Sequence, residues 1–419
     1  MTTTSRPVLA IVYGDNSASA MALHESAAAL CDIVWVVDSS EIQERSILRL
    51  LGKLGRVVDI NAMTPQEASD ALRSAEPSGI VAYADAQIAT ASALGASLGL
   101  NYHDETVAGR LLDKVVQRRA FAAAGLGVPR CVAVPSKPSP AEIEGLMASV
   151  DFPVILKPRH GAASRETHLA EDAQRLRELL IDVSSLESDT KMVVEEFMVG
   201  ASPPPSSYFG DYVSVESVVA HGHISHLAVT GRLPSAKPFR ETGLIIPSDY
   251  PSELVLEVLG VATDAINALG IRTGCLHTEI KVTDKGLRVI EVNGRIGGFV
   301  APVMALACPG VDFFQISQRV ALGERVVFAE LLATDHVGFV IVGQPPIGAR
   351  RVARVSGIDR LATYPGVSAV AVNRRPGDTV DWRLGSHEYV FSVLGAAPDS
   401  EAVRALDAFI SEHVVIEYE

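Results

Sequence analysis

Residues 277–298, HTEIKVTDKGLRVIEVNGRIGG, constrain the fold of this chain more than any other stretch. Their pattern predicts two short β-strands joined by a three-residue turn at 284–286, with Gly286 where such a loop requires a positive φ. The register set by this turn places Glu279 directly opposite Glu291 on the neighbouring strand. Two carboxylates in such positions repel each other, so we expect a cation between them.

The side chains of a strand alternate between its two faces, so Glu279, Glu291 and Asn293 are expected on one face. The opposite, apolar face is expected to carry Leu276, Ile280, Ile290 and Val292. Two carboxylates and an amide form an all-oxygen ligand set that suits Mg²⁺ acting on phosphate. Arg295 continues the alternation and would meet phosphate or carboxylate oxygens on the ligand face. The alternative is a solvated hairpin with scattered charges, but the opposed glutamates, the arginine and the glycine pair together favour a metal site.

The composition of the chain limits its partners and its compartment. With 419 residues, of which 48% are apolar, the chain is long enough for two or three domains. Its net charge of −14 disfavours nucleic acid or an anionic membrane as partner. No window approaches the roughly 18 apolar residues of a membrane span. The cysteines are widely spaced without a CxxC pair, which suits a reducing cytoplasm rather than a disulfide or zinc framework. They are Cys31, Cys131, Cys275 and Cys308.

Residues 8 to about 100 alternate strand and helix patterns, beginning with a buried-type strand rather than a signal peptide. Strands are predicted at 8–13, 33–37 and 79–83, and helices at 17–30 and 66–74. This alternation predicts a Rossmann-like parallel sheet with helices on both faces. The loop at 14–17 lacks a GxGxxG pattern, so it is read as a plain turn, with a ligand loop as the alternative.

The pattern changes to α+β after residue 104. A helix is predicted at 111–124, followed by the linker PSKPSP and a helix at 141–149. Strands are then predicted at 154–157, 167–170, 192–196, 212–219 and 223–229, with helices at 172–181 and 252–269. A further helix ends at Gly323, and residues 335–419 are β-rich with a closing helix at 400–413.

Two other places could contact a nucleotide. Lys157 ends a strand and precedes a loop of small residues, which suits a phosphate contact, although a solvated edge lysine is the alternative. Lys114 taken alone has the pattern of a surface charge. Residues 195–198, EEFM, could present backbone groups and an apolar wall to adenine, or could form a strand end with a charged cap.

In their order and spacing, these segments resemble the ATP-grasp superfamily over roughly residues 80–415. The resemblance is carried by DKVVQRRAFAAAGLGVP, FPVILKPRHGAAS, VVEEFMVG, HTEIKV and EVNGRIGG. Within the superfamily, HTE, EVNGRIGG and the later PGVSAV and PGD look most like the L-amino-acid ligase and carnosine-synthase-like carboxylate-amine ligases. The implied organisation is an N-terminal α/β domain (1–104), an ATP-grasp domain of two α+β subdomains (105–190 and 191–322) and a small C-terminal β-rich subdomain (323–419).

The resemblance also implies roles for individual residues. Nucleotide contacts would come from Lys114, Lys157, Ser164, Glu195, Glu196, Phe197 and Met198. Glu279, Glu291 and Asn293 would hold Mg²⁺, with Mn²⁺ as a substitute. Arg295 would stabilise the transferring phosphate, and His277 stands where related ligases place an oxyanion-stabilising cation. Arg232, Lys237 and Arg240 would grip a substrate carboxylate, with a solvated basic loop as the alternative.

This chain departs from the family pattern at two places. The family's GxExSV pattern supplies a glutamate to ribose, whereas here Tyr212 holds that position and Asp211 could substitute. The phosphate-covering loop is usually richer in glycine than HGAASRE, which offers only Gly161. Residues 159–166 are still predicted to form a lid over the site, and the insertion at 202–208 is predicted to shape the acceptor pocket.

The expected reaction joins a carboxylic acid, such as an amino acid, to an amine through an acyl phosphate, releasing ADP and phosphate. Its partners would be small molecules, and a homodimer is the default expectation for the assembly. The alternatives are a carboxylase or purine-pathway ligase of the same superfamily, or a nucleotide-binding regulator without catalysis. The retained metal ligands and Arg295 argue against the regulator.

Overall fold

A computed structural model describes residues 6–185, 190–202, 206 and 208–419, and the side chains of 183–185 are also left aside. Of the predicted insertion at 202–208, residues 203–205 and 207 lie outside the described residues. Across the described ranges, no helix combines the length and the apolar character needed to span a bilayer.

The N-terminal part is a parallel sheet with the strand order β3-β2-β1-β4. Its strands are β1 (Val8–Val12), β2 (Asp32–Val37), β3 (Arg56–Asp59) and β4 (Gly79–Ala82). Its helices are α1 (Ala20–Ala27), α2 (Arg45–Leu54), α3 (Pro65–Arg73) and α4 (Asp85–Leu98). The predicted parallel α/β class is confirmed. The sequence reading had not assigned α2, β3 or α4.

The next part pairs an antiparallel sheet, ordered β5-β8-β6-β7, with helices packed against it. Its elements are α5 (Glu105–Leu112), α6 (Lys114–Ala123), β5 (Cys131–Ala133), α7 (Pro140–Ala148), β6 (Val154–Pro158), β7 (His168–Ala170), α8 (Ala173–Ser185) and β8 (Met192–Glu196). Helix α7 begins at a capping box, in which Ser139 and Glu142 each satisfy the other's backbone N–H.

The single helix predicted at 111–124 is wrong, because the chain breaks at Asp113 into α5 and α6. Asp113 has extended backbone angles, and its carboxylate accepts hydrogen bonds from Val115 N and Val116 N at the start of α6. It also forms an ion pair with Arg159 at 2.6 Å. The capping hydrogen bonds of Asp113 and its ion pair with Arg159 of the lid stabilise the break between the two helices. The break puts Lys114 at the first position of α6.

The largest sheet is antiparallel and has the order β13-β12-β9-β10-β11-β14-β17-β16. Its strands and the surrounding elements are β9 (Tyr212–Ala220), β10 (His223–Arg232), β11 (Gly243–Ile246), α9 (Ser252–Leu269), β12 (Gly274–Thr283), β13 (Gly286–Asn293), α10 (Val300–Ala307), α11 (Phe313–Ala321), β14 (Val337–Gly343), β15 (Val352–Ser356), β16 (Val367–Val372), β17 (Phe391–Ala397), α12 (Ser400–His413) and β18 (Val415–Tyr418). Two 3₁₀ segments, Ile358–Thr363 and Trp382–Glu388, lie between these strands. Because strands from both sides of residue 322 share this sheet, the division into domains stays a prediction.

The hairpin of β12 and β13 has the predicted pairing of Glu279 with Glu291, which is confirmed. Its turn is tighter than predicted, since Thr283 pairs with Gly286 and only two residues lie between them. A β-bulge beside Glu279 inserts Ile290 as an extra residue and restores the predicted register. As a result Val289, rather than Ile290, joins the apolar core, and Ile290 is half-buried.

The back of this hairpin is held by an apolar cluster. Val289 and Val292 of β13 are fully buried together with Ile266 and Leu269 of α9. Full burial of such side chains contributes about 1.5–3 kcal/mol each. The carboxylate face of the hairpin is therefore fixed by packing on the opposite face.

The N-terminal sheet docks on the rest of the chain through a close backbone approach at Gly79. A Cβ at this position would lie 2.4 Å from the carbonyl oxygen of Ala321 at the end of α11. Residues of both parts also share one continuous apolar cluster, which includes Trp35 of β2 and Phe313 of α11. Strand β4 is thereby held against α11, and the residues that follow β4 are brought to the large sheet.

We expect Gly79→Ala to destabilise the protein by about 1–3 kcal/mol, because the added methyl group meets a backbone atom that cannot turn away. Gly52→Ala is the matched control, since a Cβ at Gly52 in α2 meets nothing within 4 Å. The control should be neutral or stabilising by up to about 1 kcal/mol. Urea unfolding of both variants checks the prediction, and equal midpoints would contradict the close approach.

Candidate active site

Glu279, Glu291 and Asn293 are brought together on one face of the hairpin. The glutamate side chains are 18% and 17% exposed, and Asn293 Nδ2 lies 3.3 Å from Glu291 Oε1. Burial alone would raise the pKa of the Glu291 carboxyl, but the Lys114 and Lys157 ammonium groups lower it below its usual value. In the described part of the chain, no three His, Cys, Asp or Glu side chains form a metal cluster. Two paired carboxylates and one amide nevertheless fit a divalent cation that takes its other ligands from phosphate and water.

Lys114 connects the carboxylate pair to the lid. Its Nζ lies 3.6 Å from Glu291 Oε2 and donates a hydrogen bond to the carbonyl oxygen of Gly161 at 2.6 Å. The predicted phosphate contact of Lys114 stays a prediction. Its position is the expected one, since its ammonium group lies between a metal-ligand candidate and the loop predicted to cover phosphate.

Lys157 lies in a buried charge cluster with two partners. Its Nζ is 2.6 Å from Glu195 Oε2, and Arg118 Nε is 3.1 Å from Glu195 Oε1. Burial favours the neutral acid, but Arg118 and Lys157 outweigh it and lower the pKa of Glu195 to about 2. The Glu195 side chain is only 3% exposed. Its carboxylate therefore orients two cations, and the adenine contact assigned to it stays a prediction.

Arg118 was missed by the sequence reading. It follows Lys114 by four residues on α6, a spacing that puts both side chains on one face of the helix. That spacing could have identified it once Lys114 was singled out.

The end of β8 is fixed by Arg288 of β13. The Arg288 guanidinium donates to both carboxylate oxygens of Glu196, at 2.8 and 2.9 Å. The rings of Phe197 and Phe239 lie 6.0 Å apart, and Met198 is buried. The strand end predicted to hold adenine is thus held rigidly, while its contact with a nucleotide stays a prediction.

The predicted lid, residues 159–166, is docked on the other side of the cleft. Ser164 Oγ donates to the carbonyl oxygen of Phe239 at 2.7 Å, and Ala163 O accepts from Ser386 N at 2.8 Å. Glu166 N donates to Arg383 O at 2.8 Å. Three lid residues, Ala163, Ser164 and Glu166, have positive φ angles of 58°, 55° and 47°. This loop reaches the 3₁₀ segment Trp382–Glu388, called here the C-terminal wall.

His277 is buried behind the carboxylate pair. Its Nδ1 lies 2.9 Å from Glu216 Oε2, and its Nε2 lies 3.3 Å from Glu279 Oε1. Burial disfavours the imidazolium, but the Glu216 carboxylate raises the pKa of His277 to about 9. Arg232 Nη2, 2.9 Å from Nε2, opposes protonation there, because arginine can only donate. In either state the Nδ1 proton is donated to Glu216, which fixes the ring beside Glu279.

Arg232 is buried and supports Glu241 at the cleft. Arg232 Nη1 and the Tyr212 hydroxyl donate to the same carboxylate oxygen, Glu241 Oε1, at 2.9 and 3.2 Å. Glu241 itself was missed by the sequence reading. Asp211, the other candidate for ribose, lies 2.5 Å from Lys281 Nζ. The Tyr212 hydroxyl thus binds Glu241, and a ribose contact by Tyr212 or Asp211 stays a prediction.

Lys237 and Arg240 differ in their surroundings. Arg240 is buried, and its guanidinium donates to the carbonyl oxygens of Lys237 and Pro345, the latter at 2.6 Å. These hydrogen bonds to backbone carbonyl oxygens show that Arg240 stabilises a loop. Lys237 is exposed. Substrate binding by Arg232, Lys237 and Arg240 stays a prediction.

Arg295 is held by a residue of the N-terminal part that the sequence reading missed. Its Nη2 and Nε lie 2.9 and 3.0 Å from Asp85 Oδ2. Asp85 is the first residue of α4, directly after β4. Burial lowers the pKa of Arg295, but Asp85 outweighs it, and the guanidinium stays charged. The rule that open α/β sheets bind ligands beyond strand carboxyl ends could have identified Asp85.

Comparisons with known proteins agree with this geometry. A sequence profile of the ATP-grasp domain matches residues 150–303. An uncharacterized protein of Sinorhizobium fredii, y4rH, is 27% identical over 81% of this chain and 70% of its own length. The D-alanine–D-alanine ligase of Gloeobacter violaceus is 25% identical over 53% of this chain and 73% of its own length. The crystal structure of L-amino acid ligase from Bacillus licheniformis superimposes with a TM-score of 0.77 at 19% identity, covering 99% of this chain and 100% of that one.

The parallel sheet, the antiparallel sheets and the paired carboxylates define a protein with the ATP-grasp fold. The fold is that of the ATP-grasp proteins, and residues 150–303 match the ATP-grasp domain. ATP and Mg²⁺ are the cofactors of these enzymes, and the residues described above fit both.

We expect Glu291→Gln to abolish turnover with little loss of stability. The amide keeps the shape of the side chain but removes one ligand charge from a partly exposed site. Phosphate release from ATP and thermal melting measure the two effects. Glu257→Gln, on the exposed surface of α9, is the control and should retain full activity. Loss of cooperative melting in Glu291→Gln would mean that Glu291 is structural.

We expect Asp85→Asn to lower kcat by about 10- to 100-fold, because Arg295 loses the carboxylate that orients it. In the background of Arg295→Ala, the same substitution should have no further effect. Asp70→Asn, on the exposed face of α3, is the control. Additive losses in the double variant would contradict the positioning role.

Proposed function

We propose that this protein is an ATP-dependent carboxylate-amine ligase that joins an amino acid or related carboxylic acid to an amine or second amino acid. The observation that carries the proposal is the convergence of opposite charges on one cleft. Two carboxylates and an amide of the hairpin lie beside cations from two other segments and from the end of the hairpin itself. Those cations are Lys114, Lys157 and Arg295.

The charges match the first step of such a reaction. A carboxylate must attack the γ-phosphate of ATP, which brings anionic groups together and needs fixed cations around them. Lys114 and Lys157 contact the carboxylates of Glu291 and Glu195. Phosphate oxygens would compete for these ammonium groups. Bound Mg²⁺ would supply further neutralisation of the phosphate charge from its place at Glu279, Glu291 and Asn293.

The lid supports an intermediate that water would destroy. An acyl phosphate hydrolyses readily, so its site must exclude solvent until the amine attacks. Residues 159–166 bridge from Lys114 to the C-terminal wall through hydrogen bonds at both ends. A loop held on both sides can cover the reacting groups, and release of these bonds would open the site.

Phosphate release from ATP and Mg²⁺ across the twenty common amino acids, singly and in pairs, tests the proposal. Release that requires a pair, with a product mass equal to the sum minus water, would establish the ligase. A carboxylase or purine-pathway ligase would instead be active only when bicarbonate or a phosphoribosyl amine is supplied. ATP binding without turnover on any carboxylate would favour the regulator.

We expect Arg295→Ala to lower kcat by about 100-fold or more while weakening ATP binding far less. Its guanidinium would stabilise charge that develops on the transferring phosphate, a contribution that is greatest in the transition state. Initial rates and ATP titration separate the two effects. Arg350→Ala, at an exposed arginine, is the control. Equal losses of kcat and ATP affinity would contradict the transition-state role.

A further inference from the structure

We propose that His387 accepts a proton from the incoming amine, and that Glu241 beside it binds the amine as an ammonium ion. This inference rests on the proposed ligase function and deepens it, because it assigns the acceptor subsite. The sequence offered no general base for the amine. The structure brings one from the C-terminal wall, far along the chain from the metal-ligand hairpin.

The backbone around His387 is fixed on both sides. Ser386 Oγ accepts a hydrogen bond from Glu241 N at 3.0 Å. The Gln344 side-chain amide donates to the carbonyl oxygens of both Glu241 and Ser386, at 2.8 and 2.9 Å. On the other side, Glu388 accepts from Arg374 at 2.8 Å. His387 is therefore presented on a rigid segment that is joined directly to Glu241.

The side chain of His387 is free to react. His387 is exposed to solvent, and its ring nitrogens have no hydrogen-bond partner among the described residues. Its neighbours on the wall are engaged, since Ser386 binds Glu241 and Glu388 binds Arg374. A histidine held by its backbone with an unengaged ring is suited to proton transfer.

Glu241 has one carboxylate oxygen, Oε2, that is available to bind a ligand. Arg232 and Tyr212 both donate to Oε1, and Oε2 has no partner within the described residues. The side chain is 34% exposed, whereas the Arg232 beneath it is 1% exposed. The carboxylate is thus anchored by one oxygen, while the other oxygen has no partner among the described residues and would attract an ammonium ion.

The charged groups that act on His387 come from four segments of the chain. The ring is partly desolvated although the residue is exposed overall, and this desolvation lowers the pKa of His387; Arg295 and the lid residue Arg165 lower it further. Glu241 and Glu388 act in the opposite direction. The ring is therefore neutral at neutral pH and ready to accept a proton.

In the second step, the attack of the amine on the acyl phosphate, the proton balance defines the role of the His387 ring. The amine arrives as an ammonium ion, and His387 takes one proton, which frees the nitrogen lone pair. The nitrogen attacks the acyl carbon, a C–N bond forms, and the C–O bond to phosphate breaks with its electron pair on the phosphate oxygen. The second nitrogen proton passes to the departing phosphate, which leaves as hydrogen phosphate, and His387 returns its proton to solvent.

The test uses hydroxylamine, a nucleophile that is largely uncharged at neutral pH and does not require a base. The full-length protein is given ATP, Mg²⁺ and the twenty amino acids as carboxylate donors. Hydroxylamine is the acceptor in one arm and the same amino acids are acceptors in the other. Hydroxamate is measured by its ferric complex and amide by mass spectrometry.

We expect His387→Gln to lower amide formation by about 100-fold or more while hydroxamate formation stays at the wild-type rate. Raising the pH should restore part of the amide rate, since the amine then loses its proton to solvent. Added imidazole should rescue amide formation by His387→Ala. Glu241→Gln should raise KM for the amine about tenfold or more with little effect on hydroxamate.

The possible outcomes separate the two proposals. If His387→Gln loses both products equally, or neither, His387 is not the base and the inference is wrong. If the wild type forms neither hydroxamate nor amide from any donor, the ligase proposal fails and the inference fails with it. His336→Gln, at an exposed histidine outside the cleft, is the matched control and should retain both activities.

Discussion

The repulsion between Glu279 and Glu291 is the constraint on which the site depends. The two carboxylates occupy directly paired positions on neighbouring strands, and the apolar side chains behind them leave them no freedom to separate. Lys114 contacts only one of the pair, at 3.6 Å. Because the fold holds these two negative charges at paired positions, cations from other segments of the chain have to balance them. The surrounding segments supply those cations, and a bound metal ion would complete the balance.

The balancing charges come from elements that are far apart in sequence. Helix α6 brings Lys114 and Arg118, strand β6 brings Lys157, and Asp85 from the N-terminal part orients Arg295. Each cation is paired with a carboxylate, and Lys157 and Arg118 share Glu195, so none of them is fully available until a substrate displaces that carboxylate. This arrangement keeps the site preorganised for anions, because the cations are already desolvated and aimed at oxygen atoms.

The sequence predicted those parts of the site that depend on local periodicity. The alternation in the hairpin was sufficient to pair Glu279 with Glu291, even though a tighter turn and a bulge at Ile290 compensate each other. Asp85 and His387 could not be predicted in this way, because their roles arise from contacts between segments 210 and 145 residues apart in the chain. The helix break at Asp113 was missed for a related reason. Its carboxylate is stabilised by Arg159, a long-range partner that no helical pattern reveals.

Hydrogen bonds through Ser386 connect the lid to Glu241, the residue proposed to bind the amine. Ser386 donates from its backbone to Ala163 of the lid and accepts from Glu241 through its hydroxyl group. Opening the lid must break the first of these bonds and free one side of the residue that precedes His387. In the proposed reaction, movement of the lid would reach the amine subsite through Ser386, and also through Arg383 and Phe239, which bind the lid as well. A ligase gains from this connection, since the amine subsite is then complete only when the lid protects the activated carboxylate from water.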